Sequence, residues 1–145
     1  MTPLPPDPAA LLPHDGVARF VDRVLELDAD RIVCAGRIPE GSPFAVAGRA
    51  PSFLAIELAA QAAALLECAR REGPSRRARL GYLVRVRRAE FGGPFLAVEQ
   101  TLRVHVRRSA AAPPLYRYDA EVESAGERCF AGSISTFVET ERAAR

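Results

Sequence analysis

Residues 51–71, PSFLAIELAAQAAALLECARR, constrain the fold of this chain more than any other stretch. The middle of the stretch is apolar on every side of a 3.6-residue helical wheel, a pattern typical of a helix surrounded by protein. Ser52 lies where an N-cap residue belongs. The cations and the glycine expected at a helix C-terminus follow at Arg70, Arg71 and Gly73. The sequence therefore predicts one long buried helix.

Glu57 is the one acid in the first half of this helix, and it shares a stripe of the wheel with Gln61. An unpaired carboxylate in such surroundings costs free energy, so the side chain must be hydrogen-bonded, protonated or facing a cleft. Two interpretations remain open at this point. Glu57 is either a functional residue or a fold staple bonded to the N–H groups of residues 40–50, and Arg49 is a nearby cation that could pair with it. Glu67 lies near the helix end, where we expect water to be close.

The rest of the chain alternates like antiparallel strands. We expect a hairpin before the helix and a run of strands after it, in residues 11–28, 31–39, 80–91, 98–107, 116–123 and 128–139. Turns are expected at residues 110–114 and 124–127. This order predicts an α+β fold in which an antiparallel sheet curls around one long helix.

The chain has 145 residues, which is most simply one domain. We expect an extended proline-rich lead over residues 1–10, a single domain over residues 11–140 and a short tail over residues 141–145. No apolar run is free of charge for a membrane-spanning length, and no basic region followed by an apolar one opens the chain. These features predict a cytoplasmic protein.

All 20 basic residues are arginine, although the formal net charge is only +2. Two clusters could form a basic face, namely Arg76, Arg77, Arg79, Arg85, Arg87 and Arg88, and then Arg103, Arg107 and Arg108. Few aromatic residues lie among these arginines, so the pattern favours generic surface charge or an acidic protein partner over nucleic acid.

The three cysteines, Cys34, Cys68 and Cys129, are widely spaced in apolar surroundings. Their odd number and spacing indicate reduced thiols of the core rather than a disulfide framework. No metal site is expected.

Several short motifs resemble one known family. Residues 11–14 read LLPH, residues 21–25 read VDRVL, and the strand and turn after the helix agree more loosely at residues 88–94. The start of the helix agrees at Pro51, Leu54, Glu57, Ala60 and Gln61. These residues resemble the hotdog-fold β-hydroxyacyl-ACP dehydratases of fatty acid synthesis, over residues 11–138.

The resemblance implies a hotdog fold, in which an antiparallel sheet wraps around a central helix and chains pair with sites at the subunit interface. It implies Glu57 as the catalytic acid and a substrate held on the phosphopantetheine of an acyl carrier protein or of CoA, with no other cofactor. The partners implied are that carrier and a second hotdog chain, in a homodimer or a heterodimer. Residues that could contact the substrate are Gln61, Ser52, Phe53, Phe44, Arg49 and Tyr82.

The chain lacks the catalytic histidine of the family. In the family that histidine lies in a loop about fourteen positions before the catalytic acid, and counting back from Glu57 gives Pro43. The only histidines are His14 and His105. We expect His14 to be structural, beside the first strand, and His105 to be solvated on the polar face of a strand.

Three functions remain open. The first is a dehydratase of fatty acid, polyketide or aryl polyene metabolism, in which Glu57 works with a partner such as Tyr82 or with a second chain. The second is a thioesterase in which Glu57 is the nucleophile or base. The third is a subunit without activity of its own, which binds an acyl chain or completes a heterodimer.

Overall fold

The computed structural model describes residues 5–71 and 81–139. The helices are α1 and α2, at Pro8–Leu11 and Leu54–Cys68, and a 3₁₀ turn spans Gly16–Ala18. The strands β1 to β8 span, in order, Val21–Leu27, Arg31–Gly36, Arg49–Pro51, Gly81–Phe91, Phe95–Ala97, Leu102–Ala112, Leu115–Ser124 and Glu127–Val138. The predicted features at residues 1–4, Gly73, Arg76, Arg77, Arg79 and residues 141–145 lie outside the described residues.

Six strands form one antiparallel sheet in the order β1-β2-β6-β7-β8-β4, and β3 pairs with β5 in a separate two-stranded ribbon. The α2 helix contacts β1, β2, β6, β7 and β8. The expected α+β arrangement, a hairpin followed by one long helix and a run of antiparallel strands, is confirmed.

The core lies between α2 and the concave face of the sheet. Alternate residues of β6 point toward the helix, and Leu102, Val104 and Val106 are buried. The helix meets them with Leu58 and Leu65, which have no exposed surface. Each such side chain contributes about 1.5–3 kcal/mol to folding when it leaves water, so this face holds the helix against the sheet.

The helix begins later than the sequence predicts, because the residues before it join a strand. Pro51 pairs with Phe95 in the β3–β5 ribbon, which the sequence did not indicate. The N-cap is Phe53, with no side-chain cap bond, so the prediction of Ser52 as N-cap was wrong. Ser52 is buried, and its backbone N–H donates to the Pro94 carbonyl at 3.0 Å.

The end of α2 also differs from the prediction. The helix stops at Cys68 rather than at residue 71. The guanidinium of Arg70 donates to the carbonyl of Ala29 at 2.9 Å, which ties the helix end to the β1–β2 turn.

The third strand of the sheet is shifted relative to its predicted range. Residues 98–101 lie outside β6, and Glu99 has a left-handed φ of 63° that interrupts the extended chain. The Glu99 carboxylate accepts from the backbone N–H of Glu40 at 2.8 Å and contacts Arg37. At its other end β6 continues to Ala112, so the predicted turn at residues 110–114 is tighter than expected.

Cys34 and Cys68 are buried as expected, and Cys129 is partly buried. Within residues 5–71 and 81–139, no helix is long and apolar enough to cross a membrane. The same residues contain no group of three or more His, Cys, Asp or Glu that could hold a metal ion.

Candidate active site

Glu57 lies in the first turn of α2 and is held by two side chains. His14 Nε2 lies 3.2 Å from Glu57 Oε1, and the Gln61 amide donates to the same oxygen at 3.1 Å. The interpretation of Glu57 as a staple bonded to residues 40–50 was therefore wrong, and so was its suggested pairing with Arg49. The Glu57 side chain is 44% exposed, which leaves its carboxylate accessible from outside the core.

These contacts favour the ionised form of Glu57. Burial raises the pKa of this carboxyl, but the hydrogen bonds from His14 and Gln61 and the charge of His14 together hold it below its ordinary value. The carboxylate is thus ready to accept a proton at neutral pH.

Gln61 connects the helix to the chain that leads into β1. Its Oε1 accepts from the backbone N–H groups of Phe20, at 2.8 Å, and Val21, at 3.3 Å. Its Nε2 donates to the Ala18 carbonyl at 2.8 Å as well as to Glu57. Because its amide is fully occupied by protein groups, the buried Gln61 orients Glu57 and fixes the neighbouring segment.

His14 lies at the candidate site, against Glu57, which the sequence analysis did not indicate. It was expected to be structural, beside the first strand, and no spacing rule links two residues 43 positions apart. The only indirect indication of this contact in the sequence was the polar pair Glu57 and Gln61 on one helix stripe. Gln61 binds residues 18–21, and this brings the nearby His14 close to Glu57. The Nδ1 atom of His14 is buried and has no hydrogen-bond partner among the described residues.

Two cavities meet at Glu57, and His14, Glu57 and Leu83 line both. One cavity, of about 210 Å³, runs along α2 between the helix and strands β4, β7 and β8. Its helix side consists of Ala60, Ala63 and Ala64, whose small side chains leave room beside the helix. The other cavity, of about 510 Å³, lies at the start of α2. The Glu57 carboxylate therefore lies at the junction of two mostly apolar cavities.

Two of the residues that were predicted to contact the substrate, Phe44 and Phe53, line the larger cavity. Phe44 and Phe53 meet edge to face with ring centroids 6.4 Å apart, and Pro43, at the position of the family's histidine, lies beside them. Both rings are more than half exposed. The structure thus brings Phe44, Phe53 and Glu57 to one cavity.

The other predicted residues are placed differently. Tyr82 lines the smaller cavity, but its hydroxyl donates to Glu139 at 3.3 Å rather than to Glu57. Arg49 stacks on the Phe95 ring, with its guanidinium carbon 4.5 Å from the ring centroid. Neither Arg49 nor Ser52 belongs to the lining of the two cavities.

His105 is not the freely solvated residue that we expected. Its Nε2 lies 2.9 Å from Glu123 Oε1 on the neighbouring strand, and the imidazole is half-buried. It is absent from the lining of both cavities at Glu57.

The far end of the smaller cavity is polar, which the sequence did not indicate. Glu67 is buried there, contrary to the expectation that water would be close. It accepts from the Tyr118 hydroxyl at 2.8 Å and from the Arg108 guanidinium at 3.3 Å. Burial, followed by the charge of Glu67, raises the pKa of Tyr118, so this hydroxyl keeps its proton. Glu67 follows Glu57 by ten residues, about 15 Å along a helix.

Comparisons with known proteins agree with this architecture. The chain is similar to a solved structure of the dehydratase heterocomplex ApeI:P from Xenorhabdus doucetiae, with a TM-score of 0.82 and 20% identity over 97% of this chain and 94% of that chain. It is also similar to a hypothetical thioesterase protein with coenzyme A from Streptococcus pneumoniae TIGR4, with a TM-score of 0.58 and 11% identity over 83% of this chain and 88% of that one.

A third similar structure is a mutant of the phenylacetic acid degradation protein PaaI from Thermus thermophilus, with a TM-score of 0.57 and 21% identity over 81% of this chain and 92% of that one. At these identities the likenesses show the fold, and the expected hotdog fold is confirmed. No curated protein matches the chain by sequence.

The sequence matches one family model, that of the ApeP-like dehydratases, described as ApeP dehydratase. The match covers residues 6–144, which is nearly the whole chain. This chain belongs to the ApeP-like family of hotdog dehydratases.

Proposed function

We propose that this chain provides the carboxylate of a site that dehydrates β-hydroxyacyl thioesters, with Glu57 transferring a proton and His14 positioning it. The observation that carries the proposal is the carboxylate at the junction of two mostly apolar cavities, held ionised by His14 and Gln61. The cavities suit an acyl chain and the phosphopantetheine arm of an acyl carrier protein or of CoA.

Dehydration requires two proton transfers. A base removes the proton from the carbon next to the thioester carbonyl, and an acid protonates the hydroxyl, which leaves as water while the carbon–carbon double bond forms. Glu57 can perform one transfer. The other needs a group that faces the same substrate.

Two groups of the described residues near Glu57, His14 and Tyr82, are poorly placed for the second transfer. The Nε2 atom of His14 contacts the Glu57 carboxylate, and its Nδ1 atom is buried away from solvent. The hydroxyl of Tyr82 is directed to Glu139. We infer that the second group comes from another hotdog chain, which carries the histidine that this chain replaces with Pro43.

Two observations support this pairing. The similar ApeI:P structure is a dehydratase heterocomplex. In this chain both cavities are bordered by Leu83 of β4, the last strand of the sheet, so a chain that pairs with β4 would also extend the walls around Glu57.

The substitution Glu57→Gln tests the proposal, because it keeps the shape and the hydrogen bond to Gln61 while removing the proton acceptor. We expect turnover of β-hydroxyacyl thioesters by the assembled protein to fall on the order of 100 to 10,000-fold. The matched control is Glu127→Gln, at the exposed first residue of β8, which should leave turnover unchanged. Wild-type rates from Glu57→Gln would refute the role of this carboxylate.

A second candidate is thioester hydrolysis, which an ionised carboxylate beside an apolar cavity also suits. It predicts release of free thiol from acyl-CoA or from an acyl carrier protein, and loss of that release in Glu57→Gln. Thiol release at the background rate eliminates this candidate.

A further inference from the structure

Strand β4 is the free edge of the main sheet next to the candidate site. It forms hydrogen bonds with β8 on one side, and no described strand pairs with its other side. Every residue of the strand except Val86 is exposed, including Tyr82 and Val84, at 47% and 53%. A long, exposed edge with unpaired backbone groups is a template for pairing with another strand.

Two arginines face outward from the middle of this edge. Val86 pairs with the buried Ile134 and packs against the core, so the residues on either side of it, Arg85 and Arg87, point to the convex face. Their register partners on β8 are the uncharged Ser135 and Ser133.

Neither Arg85 nor Arg87 has an acidic partner within 4 Å among the described residues. This contrasts with the second predicted arginine cluster, where Arg103 contacts Glu26 and Glu123, and Arg108 contacts Asp30 and Glu67. The positive charge at the middle of β4 is therefore uncompensated within the part of the chain that the structure describes.

This charge works against pairing between two copies of the chain. Consider two copies whose β4 strands pair antiparallel near their middles, with both α2 helices on the same face of the joined sheet. The β4 residues that point away from α2 in one copy then lie opposite the corresponding residues of the other copy. Arg85 and Arg87 of one copy then lie opposite Arg85 and Arg87 of the other. Like charges directly opposite each other on adjacent strands are destabilising.

We propose that Arg85 and Arg87 select the partner of this chain: they oppose pairing with a second copy and favour a different chain whose edge strand carries Asp or Glu on its outward face. The inference rests on the proposed function only for the position of the partner strand, which lies along β4. The acidic side chains on that strand are the new element, because the proposed function does not specify its residues.

A test with this chain alone uses the double variant Arg85→Glu with Arg87→Glu. Wild type and variant are studied separately and as an equal mixture by sedimentation velocity and native mass spectrometry, at low ionic strength. We expect weak self-association of each protein, and a mixed dimer whose dissociation constant is roughly tenfold lower or more, because arginines then face glutamates. Raising the ionic strength to about 0.5 M should reduce the difference.

The control is Arg23→Glu, an exposed arginine on β1 at the opposite edge of the sheet, which should give no preferred mixed dimer. Thermal melting of each variant separates misfolding from altered pairing. The proposal is wrong if wild type alone dimerises as tightly as the mixture. Neither readout involves turnover, so failure here is distinguishable from failure of the Glu57 proposal.

Discussion

Glu57 and His14 are in contact but differ in their access to the cavities. The carboxylate reaches both cavities, whereas the imidazole has one nitrogen on the carboxylate and the other buried. The contact with His14 is one cause of the lowered pKa of Glu57. His14 therefore helps to keep the carboxylate ionised at lower pH, together with Gln61 and against the effect of burial.

The substitution His14→Ala should raise the pKa of Glu57, since it removes both a hydrogen bond and a charge that lower it. The acid limb of the pH profile of kcat/KM should move to higher pH, with a smaller loss at neutral pH than Glu57→Gln causes. His14→Gln, whose amide can donate to the same oxygen, should shift the profile less. An unchanged acid limb in His14→Ala would show that the contact does not affect the reacting carboxylate.

The amide of Gln61 joins the α2 helix to the segment before β1. Gln61 accepts from two backbone N–H groups and donates to one backbone carbonyl of that segment, all in or near the core. Leaving buried backbone groups without partners costs about 1–3 kcal/mol each. This single side chain thus links the stability of the fold to the position of His14.

Gln61→Ala should lower the free energy of unfolding by about 3 kcal/mol, because it removes the partners of Phe20, Val21 and Ala18. Urea denaturation followed by circular dichroism measures the change. The control Gln100→Ala, at an exposed position outside the strands, should stay within about 0.5 kcal/mol of wild type. A loss below about 1 kcal/mol at Gln61 would mean that water replaces the lost bonds.

Periodicity predicts the elements of this chain better than their ends. Residues 51–71 are apolar on every side because the helix is surrounded by protein, and the alternation in β6 and β7 follows from burial of one face of the sheet. The sequence records both patterns directly. The β3–β5 ribbon and the start of β6 depend on pairing between segments distant in sequence and on the left-handed conformation of Glu99. For the same reason the pattern of one helix stripe singles out Glu57 as a candidate but does not indicate His14, because a tertiary contact alone brings His14 close to Glu57.

At the scale of the whole molecule, the site and the free edge lie side by side. Leu83, which lines both cavities, belongs to the strand that carries Arg85 and Arg87. The same partner strand would therefore add walls to the site and meet the edge arginines. In this account the chain supplies a positioned carboxylate, and a different hotdog chain supplies the second proton-transfer group.

The most direct test is turnover of a β-hydroxyacyl thioester by this chain alone, by the hotdog chain that co-purifies with it from the native host, and by the two together. The account predicts little turnover by this chain alone, full turnover by the pair, and loss of the pair's turnover when this chain carries Glu57→Gln. Full turnover by this chain alone, or by a pair that contains Glu57→Gln, would contradict it.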